Sequence, residues 1–328
     1  MRTEPARWLI TGGTGFLGRH LVFALKAKGF FVRSLSLDPV TKVEDVRKLG
    51  VDIHHGDILD PKALQKALDG MTIVVHLAGE KRNPDKFDMI NVCGTQKVLS
   101  ACLNGGIARV IHISSAGVVG CAPDKIVTEE TACHPRNRYE VSKYRAEQSA
   151  LDFYHRHGLP VTILRPANVF GDLDPEKHLL NLMRQVQNGR FRFIGRKEAW
   201  LNYVYAGDVA EACLLAARED RAVGQIYGVC DPCRLREFVE AVSQMLGVDL
   251  RQRRIPLGLA YGFALGFKAL STVIRRPWPL TFDKIAIFRS QTIHCADKLK
   301  NEFGNWPRFG WGEGVKRTLS WYRAQEWL

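Results

Sequence analysis

The stretch TGGTGFLG at residues 11–18 decides the fold, because it directly follows the apolar run of residues 8–10 and opens a helical pattern. In such a stretch Gly12 permits a tight turn, Gly15 lets the backbone approach a ligand, and Gly18 packs helix against strand. The N-terminus of the following helix presents backbone N–H groups to negative charge. The stretch therefore predicts a site for the pyrophosphate of a dinucleotide within a βαβ unit.

Two acidic residues extend this prediction. Asp38 lies near the position, about 20 residues further on, where a carboxylate binds the adenosine ribose. Its alternative interpretation is a turn residue before Pro39. Asp57, in HHGDILD, follows a strand and is placed to meet the adenine. No arginine ends the second strand, although Arg19 and Arg33 remain candidates for a 2′-phosphate, so NAD is preferred over NADP.

Apolar runs and helical patterns alternate outward from this stretch through the first half of the chain. The predicted strands are residues 8–10, 31–37, 73–77, 110–113 and 161–164, and the predicted helices are residues 20–28, 61–68, 91–103 and 139–157. Such alternation builds a parallel sheet covered on both faces. The predicted fold is therefore α/β, a Rossmann-type doubly wound parallel sheet with a smaller, mainly helical C-terminal substrate-binding region.

The rhythm of the sequence changes after residue 166, where helical patterns lengthen and strands become fewer. We expect a dinucleotide-binding domain at residues 1–166 and a substrate-binding region at residues 167–328. The best later strand candidates are residues 201–204 and 225–229. We therefore expect residues 201–230 to return to the main sheet.

The charge balance indicates the kind of partner. The chain has 328 residues, of which 46% are hydrophobic and 25% charged, so disorder is excluded. A net charge of +13 favours an anionic partner: a dinucleotide, a phosphorylated or carboxylated substrate, or an acidic membrane surface. The basic residues are scattered and no aromatic-basic platform accompanies them, so we expect a small-molecule substrate and no nucleic acid.

The eight cysteines show no small-domain disulfide pattern, which favours reduced thiols. Cys230 and Cys233 have the spacing of a metal or redox site, yet no second such pair accompanies them. A turn after a strand is therefore favoured and no metal is expected. The N-terminal residues contain no apolar run before the first strand, which argues against a secretory signal and for a cytoplasmic location.

An apolar segment at residues 257–274 is interrupted only by Lys268. It is flanked by basic residues, namely Arg251, Arg253, Arg254, Arg275 and Arg276. A membrane span needs roughly 20 apolar residues, so this segment is short for one. A buried helix over a substrate pocket is favoured, and an interfacial helix that touches anionic lipid is the first alternative. Peripheral membrane contact through residues 257–274 follows from that alternative.

The stretch RYEVSK places Tyr139 and Lys143 four residues apart, on one face of a predicted helix. An ammonium near a phenol stabilises the phenolate and lowers a pKa whose ordinary value is about 10. The same spacing occurs by chance in many proteins. The pair therefore predicts proton transfer only with support from elsewhere in the chain.

That support comes from six ordered motifs, through which the sequence resembles the extended short-chain dehydrogenase/reductase family over nearly its whole length. They are TGGTGFLG, HLAG, NVCGTQKVL, ISSAGVVG, YEVSK and RPANVFG. The resemblance implies catalysis by Ser115, Tyr139 and Lys143, with Tyr139 exchanging the proton, Ser115 bonding the same substrate oxygen and Lys143 lowering the tyrosine pKa. It also implies a homodimer, a sheet-ordering role for Asn91 and a pocket-wall role for Cys121.

The motifs imply two further sets of residues. The expected cofactor-binding residues are Gly12, Gly15, Phe16, Leu17, Gly18, Asp38, Asp57, Ile58, Leu77, Ala78, Gly79, Lys143 and Pro166. The expected substrate-binding residues are Ser115, Tyr139 and Asn168.

Departures from the family patterns separate three chemistries. Dehydratases carry Thr-Asp-Glu where this chain has the triplet that begins at Ser115, so dehydration is not expected. Nucleotide-sugar epimerases commonly carry a diphosphate-binding arginine where this chain has Leu201, although Arg196 and Lys197 lie close in sequence. The stretch NYVY at residues 202–205 resembles the 3β-hydroxysteroid dehydrogenase branch instead.

These comparisons of motifs predict an NAD(P)-dependent oxidoreductase that interconverts a secondary alcohol and a ketone, with an apolar or sterol-like substrate preferred. The first alternative is a nucleotide-sugar epimerase with tightly held NAD. The second is a non-catalytic dinucleotide-binding protein, against which the intact Ser115, Tyr139 and Lys143 argue.

Overall fold

The computed structural model of the protein describes residues 6–38, 43–120, 126–250, 253–263, 265, 285 and 289–328. The predicted pocket-wall residue Cys121 lies outside the described residues. So do residues 264 and 266–274 of the predicted apolar segment.

Seven parallel strands form the central sheet. They are β1 (Arg7–Thr11), β2 (Phe31–Ser36), β3 (Asp52–His55), β4 (Ile73–His76), β5 (Arg109–Ile113), β7 (Val161–Pro166) and β12 (Ile226–Val229). Their spatial order is β12-β7-β5-β4-β1-β2-β3. The chain runs outward from β1 to β3 and then returns to β4 on the other side of β1. The carboxyl ends of β1 and β4 therefore bound the crevice where a doubly wound fold binds its ligand.

The remaining strands form two-stranded pairs outside this sheet. They are β6 (Ile126–Val127) with β15 (Ile293–His294), β8 (Asn168–Phe170) with β11 (Tyr203–Tyr205), β9 (Phe193–Ile194) with β14 (Arg254–Ile255), and β10 (Trp200–Leu201) with β13 (Cys233–Arg234).

Helices cover both faces of the sheet and build the C-terminal region. They are α1 (Phe16–Ala27), α2 (Glu44–Lys48), α3 (Pro61–Leu68), α4 (Thr95–Asn104), α5 (Arg138–His157), α6 (Leu180–Gln187), α7 (Ala206–Arg218), α8 (Leu235–Leu246), α9 (Asp297–Phe303) and α10 (Gly310–Ala324). A π-helical turn, Asp88–Gly94, leads directly into α4.

The residues of β1 show why the sheet forms. Trp8 and Ile10 are buried in the core under α1 and α7, whereas Leu9 is buried in the opposite core under α3 and α4. A strand that is apolar on both faces needs helices on both sides, as the sequence predicted. A third core, which includes Phe238 and Tyr322, joins α6, α8 and α10 in the C-terminal region. The predicted α/β, doubly wound fold is confirmed.

The sequence analysis gave no bounds for β3, the strand expected before Asp57, and it located only part of the later sheet. Three of the four β3 residues, DIHH, are polar and none is fully buried, because the strand lies at the edge of the sheet. Within residues 201–230, Ile226–Val229 joins the central sheet, whereas Tyr203–Tyr205 pairs with β8 and Leu201 pairs with Cys233. Leu201 and its neighbours are drawn instead into the C-terminal apolar core. The boundary between residues 166 and 167 stays a prediction.

Candidate active site

The glycine turn lies at the carboxyl end of β1, with the geometry that a close-packed phosphate site requires. Gly12 has a φ of +75°, which side-chain-bearing residues rarely adopt. A Cβ atom on Gly18 would lie 2.2 Å from the Gly12 carbonyl oxygen, so no larger residue fits there without movement. Gly15 caps the N-terminus of α1 in an extended conformation and is exposed. The turn therefore presents the α1 N-terminus at the open edge of the sheet.

Asp38 follows β2 and turns its carboxylate back toward this turn. Its Oδ2 accepts hydrogen bonds from Thr14 Oγ1 at 2.5 Å and from Ser36 Oγ at 3.3 Å. The structure thus brings Asp38 to the glycine turn, where its free lone pairs could receive ribose hydroxyls. Arg33 faces the opposite way, since its guanidinium binds Asp52 at 2.6 Å and backbone carbonyls at the end of α3. Arg19 Nε donates to the Thr14 carbonyl at 2.8 Å.

Other predicted cofactor residues line the same edge. Leu77 and Ala78 donate their N–H groups to the carbonyl and hydroxyl of Thr11, each at 3.2 Å, so the β4 turn lies directly against the β1 turn. Gly79 is exposed beyond them. Phe16 and Leu17 form the first turn of α1, and Pro166 ends β7.

The loop after β3 carries Asp57 and Ile58, which were expected to contact the adenine of the cofactor. The Asp57 carboxylate accepts the Leu59 N–H at 2.9 Å, which is a local turn bond. Ile58 is buried and packs tightly against Gly94, where an added Cβ would lie 2.6 Å from Ile58 Cδ1. The structure therefore gives both residues a packing role beside the crevice, and their contact with adenine stays a prediction.

The three expected catalytic residues come from the carboxyl end of β5 and the start of α5. Ser115 begins the short 3₁₀ turn Ala116–Val119, and its Oγ accepts the Gly117 N–H at 3.1 Å. Tyr139 is half-buried in the first turn of α5, where its ring meets the Phe87 ring edge-on at 5.7 Å. Lys143 lies one turn later, buried, with its Nζ donating to the Ile113 carbonyl at 2.6 Å.

The turn of Ser115 and the start of α5 are in direct contact. An added Cβ on Gly117 would lie 3.2 Å from the Glu140 Cγ and 3.3 Å from Ser115 Oγ, so glycine keeps the two elements close. Asn137 caps α5 through its side chain, which accepts the Glu140 N–H at 2.9 Å. Because capping fixes the first turn of a helix, this contact fixes the part of α5 that carries Tyr139.

Burial is the main cause of the pKa shifts of Lys143 and Tyr139. Burial lowers the pKa of Lys143 from 10.5 to about 8, although the nearby Glu147 carboxylate opposes the shift. Burial, with a smaller contribution from the Glu140 charge, raises the pKa of Tyr139. The expected lowering of the tyrosine pKa by Lys143 is therefore wrong for the chain by itself. Its physical reason is that the Lys143 ammonium is directed to the Ile113 carbonyl.

A chain of hydrogen bonds that the sequence did not reveal starts at the β4 turn. The Ala78 N–H donates to Thr11 Oγ1, whose hydrogen is then available to His76 Nδ1 at 2.7 Å. His76 Nε2 in turn meets Thr95 Oγ1 at 2.9 Å, and Thr95 donates to the Asn91 carbonyl at 2.6 Å. Burial, with help from the Lys143 charge, lowers the pKa of His76 to about 3, so this imidazole is neutral with its proton on Nε2.

Asn91 continues the chain to the catalytic helix. Its side chain accepts the Glu80 N–H at 2.7 Å and donates to the Glu80 carbonyl and to Ser142 Oγ, both at 2.9 Å. Ser142 then donates to the Tyr139 carbonyl at 2.8 Å. Asn91 thus fixes α5 against the loop after β4. Its only signal in the sequence was its place in NVCGTQKVL.

The remaining predicted substrate residue, Asn168, begins β8, two residues after the end of β7. It is exposed in β8, and its Nδ2 donates to the Asn202 carbonyl at 3.1 Å. Leu201 is only 2% exposed within the C-terminal apolar core. The described residues contain no cluster of three or more metal-ligating side chains. Within the same residues no helix is both long and apolar enough to cross a membrane.

Comparisons with known proteins agree with this geometry. The model of the NAD dependent epimerase/dehydratase family matches residues 8–230, which include the glycine turn and the Ser115, Tyr139 and Lys143 group. Among solved structures, DesIV, the dTDP-glucose 4,6-dehydratase of Streptomyces venezuelae with NAD and TYD bound, is 25% identical and has a TM-score of 0.74. That likeness covers 98% of each chain.

Three curated relatives match nearly the whole chain. This chain is 28% identical to 3beta-hydroxysteroid-dehydrogenase/decarboxylase isoform 2 of Arabidopsis thaliana. The match covers 97% of this chain but only 62% of that relative. The chain is 28% identical to the decarboxylating sterol-4-alpha-carboxylate 3-dehydrogenase of Saccharomyces cerevisiae, over 95% of this chain and 97% of the relative. It is 26% identical to N-acetyl-alpha-D-glucosaminyl-diphospho-ditrans,octacis-undecaprenol 4-epimerase of Escherichia coli O157:H7, over 95% and 94%.

Proposed function

Because the chain belongs to the NAD dependent epimerase/dehydratase family and is an NAD-dependent enzyme of the extended short-chain dehydrogenase/reductase type, we propose that it interconverts a secondary alcohol and a ketone. The observation that carries the proposal is the meeting of the Ser115 turn with the first turns of α5, beside the glycine turn. Ser115, Tyr139 and Lys143 are carried by these two contacting elements, which supports their acting as one group.

The proposed mechanism assigns one task to each residue. Tyr139 moves the proton at its phenol oxygen, giving it to a ketone or taking it from an alcohol. The Ser115 hydroxyl donates to the same substrate oxygen, since its own lone pair already accepts the Gly117 N–H. Lys143, still largely protonated at neutral pH with a pKa of about 8, would hold the nicotinamide ribose through its ammonium. When bound, the nicotinamide supplies or accepts the hydride.

We propose NAD as the preferred nucleotide. The turn fits a dinucleotide, since glycine at position 18 lets α1 pack directly on the backbone of Gly12 and Gly13, which leaves the α1 N-terminus at the open edge for a phosphate. The Asp38 carboxylate at the end of β2 suits a ribose diol and repels a 2′-phosphate. Arg33, one of the two candidate phosphate ligands, is committed to Asp52 on the far side of β2.

An apolar, sterol-like substrate is the substrate class that we propose. Two of the relatives are named for steroid and sterol substrates. Leu201, which stands where epimerases commonly carry a diphosphate-binding arginine, is buried among apolar side chains and cannot contribute a charge. A nucleotide-sugar substrate would therefore lack one of the residues that commonly bind its diphosphate.

A second candidate function is epimerisation of a sugar diphosphate. The relative from Escherichia coli is named for that chemistry and matches 95% of this chain. An epimerase regenerates its nucleotide within each cycle and need not release it, whereas a dehydrogenase must exchange it. The two functions therefore differ in how the protein retains its cofactor.

The test is the nucleotide content of freshly purified protein, released by denaturation and identified by chromatography. We expect protein that is largely empty and binds added NAD reversibly. The next step is a screen of secondary alcohols and ketones, sterols first, by the absorbance of NADH. One retained NAD per chain would support the epimerase. Firm NAD binding without turnover of any alcohol, ketone or sugar diphosphate would support a non-catalytic role.

A further inference from the structure

The helical residues 257–263 have one packed face and one open face. Leu257, Ala260 and Tyr261 face the protein, and Ala260 is completely buried against Ile194. On the opposite side of the helix, the site of an added Cβ on Gly258 or Gly262 has no atom within 4 Å. Half of this helix therefore faces away from the rest of the described structure.

Large apolar side chains occupy the open half. Leu259 is 57% exposed and Phe263 is 51% exposed, and their separation of four residues places them on one face. Leu265, just beyond, is 60% exposed. Few side chains of this size are so exposed elsewhere in the described residues, and here three lie within seven positions. Such clustering marks an interaction surface.

A group of basic residues, called the basic belt below, lies beside the strands on which this helix packs. The helix packs on β9 and β14, and the groove beside those strands is lined by Arg196, Lys197, Arg236 and Arg254. Arg254 lies over the Phe193 ring, 5.9 Å from its centre, and donates to the carbonyls of Gly195 and Arg196. Nearby Arg289 donates to the Tyr261 hydroxyl at 3.2 Å. The cations are thus held on the strands and loops on which this helix packs.

The charge of this belt is largely uncompensated. Arg234 and Arg236 share Glu198, at 3.0 and 3.7 Å, and each has a second carboxylate, Glu237 at 4.0 Å and Glu240 at 3.9 Å, so those two arginines are neutralised locally. Arg196, Lys197, Arg253, Arg254 and Arg289 are exposed, and in the described part of the chain none of them forms an ion pair with a carboxylate. A helix that exposes apolar side chains and packs on a cationic base complements an anionic lipid headgroup layer over acyl chains.

We propose that this surface, Leu259, Phe263 and Leu265 with the belt of Arg196, Lys197, Arg253, Arg254 and Arg289, docks the protein peripherally on an anionic membrane. The apolar side chains enter the headgroup boundary, and the basic side chains contact lipid phosphates. The net charge of +13 adds a long-range attraction to the same surface. The proposal does not depend on the reaction that the enzyme catalyses.

The test is co-flotation of the full-length protein with vesicles of phosphatidylcholine and phosphatidylglycerol, and with vesicles of phosphatidylcholine alone. We expect binding to the anionic vesicles, weakened by salt, and little binding to the neutral ones. The variant Arg196→Gln/Lys197→Gln should bind ~20-fold more weakly, at roughly fivefold per cation. Leu259→Ser/Phe263→Ser should lose more than about tenfold through lost apolar burial.

The matched control is Lys62→Gln/Lys66→Gln, which removes two exposed cations from α3. It should bind nearly as the native protein does. Circular dichroism of each variant verifies folding, and Leu259→Ser alone serves if the double variant unfolds. Equal losses for the control and belt variants would overturn the proposal, as would unchanged binding of the apolar variant. A dimer that the apolar substitutions dissociate, without vesicle binding, would overturn it in favour of a self-association surface.

Discussion

Lys143→Met should make the protein more stable at neutral pH while it stops turnover. The ammonium is buried, and burial lowers its pKa from 10.5 to about 8. A charge kept in a site that prefers the neutral form costs folding free energy. Methionine fills a similar volume without that charge. The enzyme therefore retains Lys143 for its function at the expense of stability.

The structure sets the size of the effect. A pKa lowered from 10.5 to about 8 corresponds to roughly 3.5 kcal/mol, at about 1.4 kcal/mol per pKa unit. The substitution also removes the hydrogen bond from Nζ to the Ile113 carbonyl, and this loss lowers the free energy of unfolding by about 1 kcal/mol. The net expectation is a gain of ~2.5 kcal/mol in the free energy of unfolding.

The pH dependence has a definite sign. A lysine whose folded-state pKa is lowered penalises folding fully below that pKa, and the penalty fades as pH rises to the unfolded value. For Lys143 this window runs from about 8 to 10.5. The advantage of Lys143→Met should therefore be constant below pH 8 and shrink steadily above it. The Lys143 charge also lowers the pKa of His76 and His112, but both imidazoles are already neutral at neutral pH.

The assay is urea unfolding at neutral pH and near the upper end of that window, followed by circular dichroism. The control is Lys97→Met, an exposed lysine on α4, which should change the free energy of unfolding by less than about 0.5 kcal/mol. A Lys143→Met protein that is less stable than the native one would refute the reasoning. So would an advantage that does not change with pH.

Three further predictions concern the cofactor site and its supports. Asp38→Ala should weaken NAD binding by about tenfold, as one charge-assisted hydrogen bond implies, and affect NADP less; titration calorimetry with both nucleotides measures this. Gly18→Ala, whose Cβ would lie 2.2 Å from the Gly12 oxygen, should abolish detectable NAD binding in the same assay. Asn91→Ala removes side-chain bonds to Glu80 and Ser142 and should lower the free energy of unfolding by ~2 kcal/mol. It should also reduce turnover more than NAD affinity, and equal losses of both would contradict its positioning of α5.

Much of the fold was predictable because its signals are local. The glycine turn and the apolar runs of β1, β4, β5 and β7 can each be recognised from a few consecutive residues. The bounds of Asp52–His55 were not predicted, because an edge strand is half-exposed and does not need an apolar sequence. The pairing of Tyr203–Tyr205 with Asn168–Phe170 escaped because it depends on contacts between distant parts of the chain.

The candidate site divides in the same way. Ser115, Tyr139 and Lys143 could be located from short motifs, and the structure places them on contacting elements. The bonds from His76 to Thr11 and from Asn91 to Ser142 join residues 65 and 51 positions apart, so no local pattern reveals them. The ionisation of Lys143 and His76 was equally hidden, because a pKa follows the burial of a side chain and not its neighbours in sequence.

The most direct test of the proposed function compares native protein with Tyr139→Phe in turnover of the best alcohol or ketone found with NAD. Calorimetry on both proteins measures NAD affinity in parallel. We predict that the variant loses ~10²-fold or more in turnover, because the general acid–base group is gone, while NAD affinity stays within about twofold. Turnover by Tyr139→Phe near the native rate, with NAD bound equally well, would contradict the assignment of Tyr139 as the proton donor and acceptor.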